Sequence, residues 1–529
     1  MALSVFAGCN QTAAPQQTGG DTVGQESGEP NYLRITGAPL DETKSRFHPN
    51  SMTSTWFNKL LFDTLVEYDF NKQEYVLALA KTMERSEDAT TLTVTLKDAK
   101  WHDGKPVTAK DVVLSVSLFV LRKGSVANLK GIEAFTTGAA DTLAGIVEKD
   151  EKTVVFEFDG PNYLFHEEVL PAVYLRPYHI LGEKTLEEID EDGYWIKPIG
   201  TGPYMINEVN YPNYLTLTRF DDYYGGKAGV KDVLVNIYQD AAAMANAMMA
   251  GELHIYDGMT EPDADSIVGS NAHAKKIVIA SATTRSLQFN LSDVEGARKD
   301  LKNPKIRQAL SMIIDRQAVV DYVGAQASLA TTNNVDDYNT DIPKWQRNLE
   351  EGIKILKEEG FDFDTPLRMF SSSADPQVAD IRDIIVASLK EAGIECKVTV
   401  DTSNARAIIY EKRDWDMLYL GAGGGRISGY NQFASTGVYK AWFTEELQKV
   451  GAERYGKLLT QYSQTPTEEG RDAIVDQLQV QLVEDCYQIP IWHRGYIWTV
   501  DERFTGFEMF PNEWKSVARV DTTTWALAE

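Results

Sequence analysis

Residues 366 to 421 read PLRMFSSSADPQVADIRDIIVASLKEAGIECKVTVDTSNARAIIYEKRDWDMLYLG. Leu367 to Phe370 is a short apolar run of strand type. Ile381, Ile384, Ile385, Ala387 and Leu389 then recur at helical spacing, and Gly393 stops the helix. Ile394 to Val400 reads as a second strand, Ala405 to Glu411 as a second helix, and Trp415 to Leu420 as a third strand. Strands and helices in strict alternation predict a parallel sheet with right-handed crossovers. Ligands of such sheets sit outside the carboxyl ends of the strands. Ser371-Ser372-Ser373 and the loop from Gly421 to Tyr430 are therefore the places to expect one.

The chain has 529 residues, 43% of them hydrophobic, which is too much for one ordinary core and predicts two or three lobes. Its formal net charge of −26 argues against nucleic acid and against peripheral binding to anionic lipid. The three cysteines, Cys9, Cys396 and Cys486, form no CxxC and no disulfide framework. Cys396 and Cys486 read as buried small hydrophobes.

Cys9 is different. Leu3 to Gly8 is a short apolar run ending in small residues, and with Cys9 it resembles the end of a bacterial lipoprotein signal peptide. On that reading residues 1–9 are a signal remnant, Cys9 is the lipidation site, and membrane contact is through the lipid alone. Residues 10–30, NQTAAPQQTGGDTVGQESGEP, are too polar to fold and read as a flexible tether.

The body carries further local signals. Tyr32 to Ile35 reads as a strand and Thr55 to Leu65 as a helix. Thr91 to Leu96 alternates strictly, as a half-buried strand does. Trp101-His102-Asp103-Gly104 is a turn, after which Thr108 and Asp111 form a capping box stapled by Val107 and Val112, opening a helix to about Leu121. Asn303-Pro304 opens another helix with Ile306, Leu310 and Ile313 inward, and Asp315 caps a third that ends at Gly324.

Four stretches together resemble the family 5 extracellular solute-binding proteins of ABC importers, the group of the oligopeptide, dipeptide and nickel-chelate binders. They are Thr91 to Ser115 (TLTVTLKDAKWHDGKPVTAKDVVLS); Gly200-Thr201-Gly202-Pro203-Tyr204 with Tyr223-Tyr224-Gly225-Gly226-Lys227; Gly251 to Ile255 (GELHI); and Leu287 to Asn290 with Ile306 to Leu310 and Ile314-Asp315-Arg316. The resemblance covers residues 31 to 529. It implies a periplasmic-binding-protein-like α/β fold with two lobes around a hinged cleft and an extra α/β domain. The expected division is lobe I from 31–70, 196–278 and 490–529, extra domain II from 71–195, and lobe III from 279–489. A monomer is expected, outside the cytoplasmic membrane, handing a small solute to an importer permease. Oligopeptide is the prevalent cargo, with oligosaccharide or metal chelate as alternatives and a ligand-presenting sensor as a different role.

Peptide binders of this family often place an aspartate in the loop after the strand that here ends at Leu420. This chain has GAGGGRISGY at 421–430, with no acid. Gly423 allows close backbone approach, Arg426 suits a carboxylate and Tyr430 suits stacking; a solvated surface loop is the competing reading. Arg285 occupies an interlobe position by analogy, either facing the cleft or lying on the surface. Trp492 and His493 follow Ile489-Pro490-Ile491, where the family chain returns to the first lobe; a stacking platform and core packing are both open. Trp56 is a weaker candidate, and Ser372 is the loop serine named above. For a nickel chelate, His493 with Arg285 or Arg426 would have to serve.

Enzyme signatures are missing from the sequence. There is no GxxxxGK[ST], HExxH or GxSxG, and the glycine run fails GxGxxG at Arg426. The seven histidines show no close pair at metal-ligand spacing. His102 and Asp103 read as turn-makers. Catalytic residues, metal and cofactor are all expected to be absent; an acidic pair for a secreted hydrolase is the remaining enzymatic alternative.

Overall fold

The computed structural model describes residues 32–37, 56, 58–122, 128–238, 240–279, 284–324, 327–329, 346–422, 441–510 and 518–528. Cys9, the tether at 10–30, Thr55, Gly423, Arg426 and Tyr430 lie outside them.

The chain starts with β1 (Tyr32–Gly37) and a hairpin of β2 (Val66–Asp69) and β3 (Glu74–Leu77). An antiparallel sheet follows, made of β4 (Ala80–Arg85), β5 (Thr91–Leu96), β6 (Ile146–Asp150) and β7 (Thr153–Glu157), in the order β4-β5-β7-β6. Next come β8 (Tyr204–Asn210), β9 (Tyr214–Arg219), β10 (Asp232–Ile237), β11 (Ile255–Asp257) and β12 (Ala274–Ile279). The chain then builds β13 (Thr284–Phe289), β14 (Ala327–Leu329), β15 (Leu367–Ser371), β16 (Cys396–Val400), β17 (Met417–Ala422) and β18 (Gln488–Arg494), and returns as β19 (Tyr496–Asp501). One large sheet runs β12-β19-β11-β1-β10-β9-β8, and the other runs β14-β18-β13-β17-β15-β16.

The two large sheets and the antiparallel sheet pack on separate cores, and a second cluster around Met248, Tyr256 and Ile497 also covers the first large sheet. Leu33, Ile35, Val233, Val235 and Trp498 pack on the first large sheet. Leu287, Phe289, Met369 and Met417 pack with helix residues Ile306, Leu310 and Ile385 on the second. Leu92, Val94 and Phe156 pack with Val112 and Val116 on the antiparallel sheet. Some residues cross between cores: Leu118, Leu181, Ile189 and Trp195 join the first large sheet, Leu164 joins the second, and Leu65 and Val66 join the antiparallel sheet.

The β-α-β-α-β reading of residues 366–421 holds in topology. β15 pairs in parallel with both β16 and β17. Details differ for identifiable reasons. The second helix is one π-helical turn, Ala407–Lys412, ended by Arg413 at φ 54°. β16 starts at Cys396 because the Ile394 N–H donates back to Leu389 O at 3.0 Å, closing the preceding helix. β17 starts at Met417 because Asp416 is held by the Arg368 backbone N–H (2.8 Å) and by its guanidinium (2.7 Å). β16 is an edge strand with Val398 and Val400 exposed, so Cys396 is only half-buried, whereas Cys486 is buried as expected. Both thiols are free.

Of the helix read over Thr55 to Leu65, the described residues form Asn58–Leu61, and it ends there. The Gly200-Thr201-Gly202 loop stops it. The Gly202 N–H takes the Leu61 carbonyl at 3.0 Å, and a Cβ on Gly200 would fall 1.7 Å from that same oxygen. His102 clamps the loop from the other side. The Gly200 N–H donates to its Nδ1 at 3.0 Å, so the ring is the Nε2–H tautomer and donates to Gly202 O, also at 3.0 Å. The turn histidine and the glycine motif, about a hundred residues apart, are thus one structural unit.

The other motif residues are also structural. Asp111 accepts from the Thr108 N–H at 2.7 Å, completing the capping interaction at the start of the Ala109–Leu121 helix, and from the Tyr178 N–H at 2.7 Å. Arg307 spends its guanidinium on three carbonyls, those of Cys486, Leu301 and Asp485. His254 accepts the Arg34 N–H at 2.9 Å, tying β1 to the GELHI segment.

Candidate ligand-binding crevice

The two large sheets are joined by two adjacent crossings. β12 ends at Ile279 and β13 begins at Thr284; β18 ends at Arg494 and β19 begins at Tyr496. Ile279 pairs with Tyr496 on one side, and Thr284 with His493 on the other. Strand directions then fix where the crevice lies. In the first sheet β19 runs away from the crossing and is antiparallel to β11, which is parallel to β1, itself parallel to β10. The carboxyl ends of β1, β10 and β11 therefore face the crossing. In the second sheet β13 runs away from the crossing, β17 is antiparallel to it, and β15 and β16 follow β17. Their carboxyl ends face the crossing too. Two sets of parallel strands thus aim their carboxyl ends at one another across a two-stranded hinge, which is where open α/β sheets bind ligands.

Arg285 does not precede its strand but is its second residue, directly opposite Gly421 on β17. Its side chain is half-buried and occupies the space that a side chain on residue 421 would need: a Cβ there would lie 2.4 Å from Nη1 and 3.0 Å from Cζ. Ser372 sits half-buried just past the end of β15. Beside it the Ser373 N–H donates to the buried Ser371 Oγ at 3.3 Å.

The other candidates lie deeper. Trp492 is 2% exposed, belongs to the core of the second sheet, and donates from Nε1 to the Tyr419 hydroxyl at 3.0 Å. Core packing is thus its place here. His493 is buried, with Nδ1 3.1 Å from Thr284 Oγ1, and burial pushes its pKa down to about 4. A neutral imidazole in that position joins the two hinge strands. Trp56 packs against Phe507 and Trp525 in the core of the first sheet. Gly423, Arg426 and Tyr430 lie outside the described residues; Arg285 and Ser372 stand at the ends of the second sheet's strands that face the crossing, and Trp492 and His493 are buried on β18.

The roles of Gly421, Tyr496, Asp257 and Gly258 carried no sequence signal. In the sequence Gly421 reads as the start of a candidate loop, with no role of its own. Tyr496, at the hinge, donates to Asp257 at the end of β11 at 2.5 Å, and Gly258 follows at φ 81° with its would-be Cβ 3.1 Å from the Tyr496 hydroxyl. Only register reveals these contacts, because the partners are hundreds of residues apart. Among the described residues there is no cluster of three metal-ligating side chains, and no helix is long and apolar enough to cross a membrane.

Comparison with known proteins agrees with this geometry. Residues 74–442 match the profile of the bacterial extracellular solute-binding proteins, family 5 middle. The oligopeptide-binding protein AppA of Bacillus subtilis is 25% identical over 426 residues, covering 77% of this chain and 74% of its own. Its structure in complex with a nonapeptide superposes with a TM-score of 0.72 at 21% identity, over 95% of this chain and 100% of that one. The ABC transporter substrate-binding protein CtaP of Listeria monocytogenes gives a TM-score of 0.77 at 22% identity, over 94% and 99% of the two chains. NikZ of Campylobacter jejuni, in complex with Ni(L-His), gives 0.74 at 18% identity, over 94% and 100%. The family match spans more than half of the chain, and the multi-domain α/β fold is shared with all three. The chain belongs to the bacterial extracellular solute-binding proteins of family 5.

Proposed function

We propose that this protein captures a short peptide in the crevice between its two large sheets and hands it to an ABC importer. The observation that carries this reading is the convergence of carboxyl strand ends from both sheets on a two-stranded hinge. A solute that touches both sides favours the closed arrangement over the open one, and closure then reports occupancy to the importer. Peptide is the favoured cargo because AppA, the relative compared above, is an oligopeptide-binding protein. The metal-chelate alternative relied on His493, whose burial and bond to Thr284 count against a role as ligand.

The proposed units are lobe I from 31–70, 196–278 and 490–529, domain II from 71–195, and lobe III from 279–489, with two boundaries shifted: Ile279 belongs with the first large sheet and residues 490–494 with the second. The separate apolar cores support this division, with Leu118 and 178–195 leaning on lobe I, Leu164 on lobe III, and Leu65 and Val66 on domain II. Lipidation at Cys9 and the tether at 10–30 place the body at the outer face of the membrane. The proposed contacts with the solute are Arg285, Ser372, Gly423, Arg426 and Tyr430.

The test is closure. Small-angle scattering and thermal unfolding of the chain are followed with a pool of two- to nine-residue peptides. A smaller radius of gyration together with a raised Tm is expected, since a ligand at a hundredfold excess over Kd adds about 2.7 kcal/mol. A pool that leaves both unchanged, while maltotriose or a nickel–histidine complex shifts them, would replace peptide by that cargo.

A further inference from the structure

We propose that Arg285 is the anchor for a carboxylate on the captured solute and that Gly421 is the seat holding its guanidinium in place; this rests on the crevice being the capture site. Arg285 and Gly421 are register partners at the hinge end of the second sheet. The guanidinium occupies the space beside Gly421 where a side chain would otherwise stand, at the carboxyl end of β17.

Unlike most arginines whose contacts are described, Arg285 holds neither a carboxylate nor a carbonyl, a trait it shares with Arg382 on the Pro376–Glu391 helix and with Arg406; of these, only Arg285 stands at the strand ends that face the crossing. Arg298, Arg368, Arg503 and Arg519 each hold a carboxylate, and Arg307 is spent on carbonyls. Among the described residues, no carboxylate or carbonyl accepts a hydrogen bond from Arg285. In a chain of 78 acidic residues, a half-buried guanidinium with no acid beside it is available to something else. Withdrawing a cation from water is costly unless a counter-charge meets it. Its planar fork matches a carboxylate bidentately, which a lysine does not do. Ser372, just past the end of β15 on the other side of β17, adds a neutral hydroxyl at the same end of the sheet. The solute class that fits is one with a free carboxylate, and for a peptide this is the carboxyl terminus or an acidic side chain.

The experiment is isothermal titration of the whole chain and of Arg285→Ala and Gly421→Ala with trialanine, trialanine amide and maltotriose, alongside scattering. Gly421→Ala keeps the positive charge but pushes the guanidinium off its seat, and so separates position from charge. The wild type is expected to bind trialanine at least about tenfold tighter than the amide, and both variants are expected to lose that preference while unfolding at the wild-type temperature. If Arg285→Ala fails to fold, Gly421→Ala alone decides. A preference that survives in the variants, or its absence from the wild type, overturns the anchor. Binding of the amide or of maltotriose without regard to Arg285 removes the anchor and keeps the capture site. No heat and no closure with any probe removes both.

Discussion

The backbone N–H of Tyr163 donates to the carbonyl of Ser463 at 2.9 Å, joining the segment after β7 to the helix Lys457–Gln464 on the second large sheet. The next residue, Leu164, is 1% exposed and packs in the core of that sheet rather than in that of its own. One leucine therefore pins the antiparallel sheet to the lobe on the far side of the crevice. Leu164→Ala is expected to cost about 2–4 kcal/mol, as the loss of a buried leucine does when the site cannot collapse. Urea unfolding with the slope compared against wild type measures it. A cost under about 0.5 kcal/mol would mean that the contact is not made in solution.

Four histidines, His102, His166, His254 and His493, are pushed down to about 4, chiefly by burial. Each binds a proton more readily in the unfolded chain, near 6.5, than in the folded one. The unfolded state thus holds more protons between about pH 6.5 and 4, and stability is lost as pH falls through that window. His102 has a specific reason to resist: a proton on Nδ1 would face the Gly200 N–H. His102→Asn keeps an acceptor for that N–H and removes the titration. Tm measured from pH 7.5 to 4.5 is expected to fall less steeply in this variant than in wild type. An identical slope would place the acid sensitivity elsewhere.

How much of this was legible in the sequence follows from the range of the interactions. The β-α-β-α-β unit was readable because apolar spacing and Gly393 are local. The capping at Thr108 and Asp111 was readable for the same reason. The shortened helix at Asn58–Leu61 was not, because what ends it is a glycine loop some 140 residues later. Arg285 was recognised but placed before its strand, and nothing local in GAGGG singles out Gly421 as the residue beneath it. Trp492 and His493 have a composition suited to a binding surface; only burial shows that they brace the hinge instead.

Gly200 tests the idea that the glycine motif is a packing device. A Cβ there would meet the Leu61 carbonyl oxygen at 1.7 Å, and backbone cannot step aside as a flexible side chain can. Gly200→Ala is expected to destabilise by about 3 kcal/mol or more, at the upper end of overpacking effects. Gly193→Ala, with nothing within 4 Å of its would-be Cβ, is the control and is expected within about 0.5 kcal/mol of wild type. Equal stabilities for the two, by thermal unfolding, would sink the packing role.

Arg307 carries the last prediction. Its guanidinium is buried and bonds the carbonyls of Cys486 at 2.8 Å and Leu301 at 2.6 Å, together with that of Asp485. Asp485 ends the Glu468–Asp485 helix, and Cys486 sits at φ 45° just before β18, the strand that leads into the hinge. The cation therefore caps a helix terminus and fixes where the hinge strand begins. Arg307→Lys keeps the charge but can satisfy the three carbonyls less completely, and a buried acceptor left unmade costs about 1–3 kcal/mol. A loss in that range by urea unfolding is expected for Lys, and a larger one for Met, which leaves all three carbonyls unpaired. If Met proves as stable as wild type, desolvating the guanidinium offsets its bonds, and the helix end is held by packing instead.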